Sequence, residues 1–315
     1  MMVSVFVLAW SHEKYIEQAI RSVIYQTYRD IEILFLDNHS SDRTFELASD
    51  LLENSGILHR VFKREEPFGI AENLNFLFEQ SAGNYLCVLS GDDWLSPVSI
   101  DERVKAFGSN HLLGLVDSGG YNYYDDLDLY EPIKTLPVKN KNAFADLLLG
   151  NYISGIGCML KREAIENVGL WDSSIPIEDW DMWIRISMKY EIETIDKPLF
   201  YYRKHAKAIS NNYDFMYAAK LKVSEKFRSV NPLIDQTQLN CWDTYLAAKV
   251  MQNQAFTATF EVLKNFRFNK LYMLLLLKSM VPISLRKKYY VRSLRRRSQS
   301  VLESINEEGG ISKTF

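Results

Sequence analysis

The chain has few cysteines, no long apolar run and no excess of either charge. Its 315 residues include 3 cysteines, Cys87, Cys158 and Cys241, which stand far apart in apolar surroundings. This usage excludes a disulfide framework and zinc-binding spacing, and it predicts reduced, buried thiols in a reducing, cytoplasmic compartment. A net charge of −3 gives no electrostatic case for binding nucleic acid.

We expect neither a signal peptide nor a membrane-spanning helix from this sequence. The opening MMVSVFVLAWSHEKY has an apolar run but no basic leader or cleavage site, so we interpret it as a strand and not as a signal peptide. The most apolar later stretch, LYMLLLL at 271–277, ends at Lys278 and is shorter than the about 20 residues of a bilayer span. The phosphate-binding patterns GxGxxG and GxxxxGKS/T are absent as well.

What is present is a regular alternation over the first 90 residues. The hydrophobic pattern predicts strands at 3–9, 31–37, 57–64 and 84–90, helices at 13–27 and 69–82, and a further helix capped by Ser41 or Asp42. Apolar strands alternating with helices are typical of a mainly parallel α/β sheet with helices on both faces. From about residue 211 the pattern is helical, which predicts two regions, 1–210 and 211–315.

Carboxylates follow two of the predicted strands. Asp37 ends the second strand, and Asp92 and Asp93 follow the fourth in LSGDDWLSP. Because parallel strands bind ligands at their carboxyl ends, we expect these acids to meet at one edge of the sheet. Adjacent buried carboxylates repel each other, and Mg²⁺ or Mn²⁺ relieves that repulsion. The alternatives are that the acid pair caps a helix starting near Pro97 and that Asp37 belongs to a capped βα turn.

Acids also open a later predicted helix, in PIEDWDMWIRI at 176–186. Glu178, Asp179 and Asp181 stand in its first turn. They either complement the helix dipole or supply a carboxylate base beside an aromatic wall. His205, in YYRKHAKAIS, is either structural or, if it reaches the aspartates, a ligand for a metal.

In this order the segments resemble the family 2 glycosyltransferases, an inverting family with the GT-A fold. The resemblance covers residues 2–210 and rests on VSVFVLAWSHEKYIEQAIRSVIYQTYRDIEILFLDNHSSDRT, GIAENLNFLFEQSAGNYLCVLSGDDW, CMLKREAIENVGLWDSS, IEDWDMWIRI and YYRKHAKAIS. Several motifs in one order are far more specific than any one alone. The resemblance implies a GT-A, Rossmann-like domain at 1–210 that binds a nucleotide sugar and catalyses transfer, with 211–315 as a helical extension.

The resemblance implies a nucleotide site at the ends of the first two strands. Asp37 matches the aspartate that contacts the nucleotide base, and Ala9 and Trp10 lie where the family binds the nucleotide sugar. The donor is then linked to UDP or GDP. Asn38 and His39 depart from the Asp-Gly that usually follows this aspartate, and the usual polar turn after the first strand reads LAWSH here.

The acid pair matches the metal-binding motif of the family. Asp92 is expected to contact the ribose, and Asp93 and His205 are expected to hold Mn²⁺ or Mg²⁺ on the donor diphosphate. Ser90 stands where many relatives carry a further acid, so the local charge is lower.

The EDWD segment matches the catalytic motif. Asp179 corresponds to the base, Glu178 supports it, and Trp180 is expected to offer a ring face to the acceptor sugar. A base of this kind takes the proton of an acceptor hydroxyl as it attacks the anomeric carbon, so that a single displacement inverts that carbon.

The C-terminal region predicts contact with an anionic membrane surface. Residues 281–300, VPISLRKKYYVRSLRRRSQS, contain seven lysines and arginines and no acid, and they follow the apolar FNKLYMLLLLKSM. This combination is typical of an interfacial helix, here at the inner face of the plasma membrane, and the alternative is a solvated basic helix. The resemblance implies a saccharide or lipid-linked acceptor in polysaccharide biosynthesis.

Two other functions stay open from the residues alone. A sugar-phosphate nucleotidyltransferase needs a Gly-rich phosphate loop after the first strand, and AWSHEKY has no glycine. A non-catalytic nucleotide-sugar-binding module needs no base, whereas the EDWD segment is complete.

Overall fold

The computed structural model describes residues 1–133, 143–206, 208–252, 273–275, 278, 281 and 283–307. Its strands are β1 Val3–Ala9, β2 Ile31–Asp37, β3 Leu58–Lys63, β4 Tyr85–Ser90, β5 Trp94–Leu95, β6 Leu113–Tyr124, β7 Leu129–Ile133, β8 Met159–Lys161 and β9 Glu191–Lys204. Its helices are α1 Ile16–Ile24, α2 Thr44–Glu53, α3 Ile70–Gln80, α4 Ser99–Phe107, α5 Phe144–Leu149, α6 Arg162–Val168, α7 Glu178–Ser187, α8 Tyr213–Lys226, α9 Ile234–Gln252 and α10 Ile283–Glu307.

Within the described residues the strands form one sheet in the order β3-β2-β1-β4-β8-β6-β9-β5, with β7 paired to β6. The four predicted strands, β1 to β4, are parallel, as expected. Short β8 runs antiparallel to both β4 and β6 and joins the two halves. The second half contains the long parallel pair of β6 and β9. The prediction of a mainly parallel sheet flanked by helices is confirmed for the first half, and the second half is mixed.

The register of β1 places the predicted site at one edge. Ala9 pairs with Asp37 of β2, and Leu8 pairs with Ser90 of β4. The three strands therefore end side by side, and the N–H of Gly91 donates a 2.7 Å hydrogen bond to the carbonyl of Leu8 as the chain leaves β4. Asp37 and the acid pair consequently belong to the same edge of the sheet.

Helix α1 shows why the helices cover this sheet. Ile16, Ala19, Ile20 and Val23 form the apolar stripe that the sequence predicts, and all four are buried against the inward-facing valines of β1. Burial of aliphatic side chains stabilises such a layer by about 25 cal/mol per Å² of apolar surface. The three cysteines are free and buried, as predicted.

The helical region packs on the α/β region where it is described. Ala219, Val223 and Phe227 of α8 and the following segment, with Cys241 of α9, share one apolar cluster with the sheet. Helix α10 lies along β7, where Ser298 accepts a 2.8 Å hydrogen bond from the N–H of Tyr130. Of the apolar stretch 268–280, only 273–275 and 278 lie within the described residues. No helix in the described part of the chain is long and apolar enough to cross a membrane.

Candidate active site

Asp37 ends β2 at the sheet edge and is fully buried. Its Oδ1 accepts a 2.9 Å hydrogen bond from the N–H of Ser40. Its Oδ2 is also buried and has no partner among the described residues. Buried acceptors are nearly always satisfied in proteins. Asp37 therefore does take part in the βα turn, as one alternative predicted. The turn uses only Oδ1 and leaves Oδ2 available to a donor group on a ligand.

The loops that follow β1 and β2 are fastened to each other beside Asp37. The N–H of Ser11 donates to Oγ of Ser40 at 2.7 Å. Ser11 and His39 both adopt left-handed backbone conformations, with φ of 57° and 66°. His39 occupies a position where the family usually has glycine, which adopts this conformation at lower cost. Ala9 is buried, while Trp10 is 56% exposed at the rim.

The acid pair follows β4 but does not cap α4. Strand β5 intervenes, and the N-cap residue of α4, Val98, makes no side-chain hydrogen bond. The capping alternative is therefore wrong. Asp93 is 1% exposed, and its Oδ1 accepts a 2.7 Å hydrogen bond from the N–H of Arg203. Burial, reinforced by the adjacent charge of Asp92, raises the pKa of Asp93 well above its usual range.

Two imidazoles face Asp92. Nε2 of His205 lies 2.9 Å from its Oδ2, so the predicted histidine does reach the acid pair. Nε2 of His12 lies 3.8 Å from the same oxygen. Burial opposes ionisation of Asp92, but the imidazoles and the hydroxyl of Ser90 outweigh it and lower the pKa of Asp92. The sequence reasoning missed His12, although an imidazole just after a strand that ends at this edge was a usable signal.

Arg203 of β9 holds the acid pair in place and was also missed. Its Nε donates to the main-chain carbonyl of Asp92 at 2.8 Å, and its Nη1 donates to Oδ1 of Asp125 at 2.8 Å. The guanidinium lies over the rings of Tyr15 and Trp94, at 4.5 Å and 4.7 Å from their centroids. A planar cation held by hydrogen bonds and stacked rings has little freedom to move.

Glu178 and Asp179 open α7 and are half-buried. Asp179 accepts hydrogen bonds from the N–H of Trp180 and from the side chain of Asn151. Burial raises the pKa of both carboxyls, and the charge of Asp179 adds to the rise at Glu178. A carboxylate whose pKa is raised is a stronger proton acceptor than an exposed one. Glu178 and Asp179 lie in the first turn of the helix, as predicted. Their burial and raised pKa values are more than complementing the helix dipole requires.

Tyr202 lies within electrostatic range of both the acid pair and Asp179. Its burial raises its pKa to about 12, and the charges of Asp93, Asp92 and Asp179 all contribute to that rise. All three carboxylates therefore lie close enough to act on one hydroxyl, although they come from distant parts of the chain. The Gly-rich turn, Gly155–Gly157, lies beside Asp179, because a Cβ on Gly155 would lie 3.5 Å from Oδ2 of Asp179.

Two further members of EDWD are structural. Trp180 is 1% exposed, and its indole donates a 2.8 Å hydrogen bond to the carbonyl of Leu147. A ring buried in this way has no face for a sugar, so the structure corrects the acceptor role predicted for Trp180. Asp181 is fully buried and pairs with Arg185 at 2.8 Å and with Lys226 at 2.6 Å.

No group of three or more histidine, cysteine, aspartate or glutamate side chains in the described residues could hold a metal ion unaided. The carboxylate oxygen Oδ1 of Asp92 is nevertheless buried and has no partner there. Carboxylate and imidazole donors suit Mn²⁺, and hard oxygens suit Mg²⁺. The donor set thus fits a cation whose coordination is completed by ligand oxygens.

Comparison with known proteins identifies the family. Residues 4–169, which carry β1 to β4, the acid pair and the Gly-rich turn, match the protein family described as glycosyl transferase family 2. The chain belongs to glycosyl transferase family 2. The resemblance expected from the sequence is thereby confirmed.

Proteins similar in sequence to this family 2 chain include uncharacterised glycosyltransferases. One from Rickettsia conorii is 26% identical over 220 residues, which are 67% of this chain and 36% of that protein. One from a Nostoc species is 26% identical over 245 residues, which are 73% of this chain and 71% of that protein. The chain thus spans about a third of the length of the Rickettsia relative and most of the Nostoc relative.

Solved glycosyltransferases share the fold of this family 2 chain. The mannosyltransferase PcManGT of Pyrobaculum calidifontis, in complex with GDP-Man and Mn²⁺, has a TM-score of 0.60 at 15% identity, covering 88% of this chain and 83% of that one. Residues 1–349 of TarS from S. aureus, in complex with UDP-GlcNAc, give 0.58 at 14% identity, covering 98% and 93%. The GT-A fold predicted from the sequence is confirmed.

Proposed function

We propose that this family 2 protein transfers a sugar from a nucleotide-diphosphate donor to a hydroxyl of a saccharide or lipid-linked acceptor, with inversion. The observation that carries the proposal is a pair of separate carboxylate sets: the acid pair after β4, where the buried Oδ1 of Asp92 has no partner among the described residues, and Asp179 at the start of α7. The acid pair is suited to bind a cation, and Asp179 is suited to accept a proton. Inverting transfer needs both, on opposite sides of the transferred sugar.

The nucleotide would bind at the ends of β1 and β2. The free, buried Oδ2 of Asp37 is an acceptor for an N–H of the base. Ala9 and the exposed Trp10 would border the nucleotide sugar, and Asp92 would contact the ribose. Support for a UDP- or GDP-linked donor comes from the two neighbours in the fold, one in complex with UDP-GlcNAc and the other with GDP-Man.

The diphosphate would lie against the acid pair. Asp93 and His205 are the proposed ligands of Mn²⁺ or Mg²⁺, and the unpartnered Oδ1 of Asp92 supports a cation beside them. When bound, the cation supplies charge that stabilises the leaving diphosphate. The protein's own contribution is to hold the carboxylates: Arg203 fixes Asp93 through its N–H and Asp92 through its guanidinium.

Asp179 would act as the base. Its raised pKa favours uptake of the proton that the acceptor hydroxyl loses as it attacks the anomeric carbon. Glu178, whose pKa is also raised, would support it by keeping a proton and a hydrogen-bond donor beside it at moderate pH. An α-linked donor would give a β-linked product.

The exposed side of α10 supports peripheral attachment to an anionic membrane surface. Leu294, Ser298 and Val301 are buried against the domain, whereas Lys288, Arg292, Arg295 and Arg296 are exposed on the other side. The exposed side also carries Leu285 and Tyr289, which are 44% and 66% exposed. Basic and apolar groups on one helix face suit an anionic leaflet, with about 1 kcal/mol per basic residue near the surface. A lipid-linked acceptor would be reached there.

Titration calorimetry with UDP and GDP, with and without Mn²⁺, combined with a hydrolysis assay over a panel of nucleotide sugars, tests the proposal. We expect one nucleotide to bind more tightly with Mn²⁺ and its sugar conjugates to be hydrolysed slowly. Binding without hydrolysis would favour the non-catalytic module. Formation of a nucleotide sugar from a nucleoside triphosphate and a sugar phosphate would favour the nucleotidyltransferase, which the glycine-free loop after β1 disfavours.

A further inference from the structure

An ammonium group lies beside the acid pair, and none of the roles above uses it. Lys204 is the last residue of β9, between Arg203 and His205, both of which contact Asp92. Its Nζ atom lies 4.0 Å from the centroid of the Tyr202 ring. Because both neighbours of Lys204 in the chain contact Asp92, the ammonium is held at the same strand end as the acid pair.

Within the described residues, no carboxylate lies within salt-bridge distance of Lys204, in contrast to two other lysines that it can be compared with. Lys197, in the same strand, lies 2.6 Å from Oε2 of Glu102, and Lys14 lies 2.7 Å from Oδ2 of Asp125. Lys204 is half-buried, and in the described part of the chain its close contact is the Tyr202 ring.

Two carboxylates act on Lys204 from farther away, but both have closer partners. They are Asp93 and Glu131. Asp93 accepts from the N–H of Arg203 at 2.7 Å, and Glu131 accepts from the hydroxyl of Tyr124 at 2.6 Å and pairs with Arg297. A partly buried ammonium without a counter-ion is unfavourable, so this position favours an anionic ligand.

We propose that Lys204 binds the diphosphate of the nucleotide-sugar donor, an inference that rests on the proposed function. A lysine ammonium is a compact charge that binds phosphate oxygens. The diphosphate is the charged part of such a donor, whereas the base and a neutral sugar offer no negative charge. As the bond to the sugar breaks, the charge on the leaving diphosphate grows, and a fixed ammonium at this place stabilises it.

Calorimetry that compares each nucleoside with its diphosphate isolates this contact. The titrants are uridine, UDP, guanosine and GDP, in EDTA and in Mn²⁺, against wild type, Lys204→Met and Lys204→Arg. The matched control is Lys197→Met, which removes the same charge from the same strand. We expect Lys204→Met to weaken diphosphate binding by about tenfold or more, the size of one charge-assisted hydrogen bond. Nucleoside binding should stay within about twofold, and Lys204→Arg should recover part of the loss.

Four outcomes would overturn the assignment of Lys204 to the diphosphate. Equal diphosphate affinity in wild type and Lys204→Met overturns the assignment and leaves the proposed function intact. Equal losses for nucleoside and diphosphate also overturn it, since they indicate a general loosening of the site. Unchanged diphosphate binding with a raised KM for the acceptor would place the lysine on the acceptor side. Failure of wild type to bind either diphosphate overturns the proposed function, and the inference with it.

Discussion

Nε2 of His205 lies 2.9 Å from Oδ2 of Asp92, although the two residues are 113 positions apart in the chain. The contact exists because β9 crosses the sheet beside β6 and pairs with β5, which directly follows the acid pair. The end of β9 thereby delivers Arg203, Lys204 and His205 to the carboxyl end of β4. One strand end from the second half of the sheet completes a site that the first half begins.

Replacing the proposed base should separate binding from chemistry. We expect Asp179→Asn to lower the transfer rate by about 10²- to 10⁴-fold, the range for loss of a general base. Donor affinity should be nearly unchanged, because the nucleotide and metal contacts lie on other elements. Initial-rate assays and calorimetry on the same preparation measure both. Asp101→Asn is the control: Asp101 lies in the first turn of α4 and pairs with Lys105 at 2.5 Å on the helix surface. Near-normal turnover of Asp179→Asn would remove it as the base.

The stability of Asp179→Asn shows whether the loss of activity comes from unfolding, and we expect that it does not. Burial raises the pKa of Asp179, so the folded state holds its proton more tightly than the unfolded chain does. Its contribution to stability is therefore present at low pH and is lost as the pH rises through the folded pKa. The amide of Asp179→Asn has no such charge to bury, so the variant should be at least as stable as wild type at neutral pH in urea unfolding.

The pH dependence of kcat should carry the signature of the same carboxylate. The base must be ionised to act, so the rate should fall as the pH drops through its raised pKa. The acid limb should therefore have its midpoint clearly above the ~4 of an ordinary aspartate. Burial, together with the charge of Asp179, raises the pKa of Glu178 to about 8, so Glu178 keeps its proton across the acid limb. Glu178→Gln replaces one neutral group with another and should leave the midpoint of that limb nearly unchanged. A midpoint near 4 in wild type would argue against a buried base.

The elements and the acidic residues of the site could be predicted from the sequence, because strand alternation and strand-end carboxylates are local signals. The contributions of Arg203 and His12 could not. Both act through positions fixed by β-strand pairing and loop geometry between distant segments. The acceptor role predicted for Trp180 was wrong for a related reason. The sequence alone does not show whether the ring of a tryptophan in the first turn of a helix faces a ligand or, as here, donates to the carbonyl of Leu147.

Removing the guanidinium of Arg203 should loosen the acid pair. Arg203→Met removes the buried partner of Asp125, which keeps the exposed Lys14, and it removes the donor to the carbonyl of Asp92. We expect a loss of about 1.5 to 3 kcal/mol in the free energy of unfolding, the size of a hydrogen bond to a charged group. We also expect Mn²⁺ to increase the affinity for the nucleotide less than it does in wild type. Urea unfolding and calorimetry measure the two. Arg228→Met, which removes an exposed pair with Glu225, should change neither. A stable Arg203→Met protein with normal Mn²⁺ response would contradict this role.

Neutralising the exposed side of α10 should release the protein from anionic vesicles. The variant replaces Lys288, Arg292, Arg295 and Arg296 with glutamine, and at ~1 kcal/mol for each charge most of the binding should be lost. Flotation with vesicles that contain phosphatidylglycerol measures it, with phosphatidylcholine vesicles and high salt as controls. Substitution is preferable to deletion, because deletion would also remove Val301 from the buried cluster that it shares with Trp94 and Tyr130. Unchanged flotation would leave α10 as a solvated helix.

The stereochemistry of the first-formed product tests the central claim most directly. Proton NMR can follow hydrolysis of an α-linked UDP- or GDP-sugar from the panel, with water in place of the acceptor, before the free sugar mutarotates. A single displacement assisted by Asp179 predicts that the β-anomer appears first, and that Asp179→Asn forms little of either anomer. Appearance of the α-anomer first would contradict inversion and the assignment of Asp179 as the base.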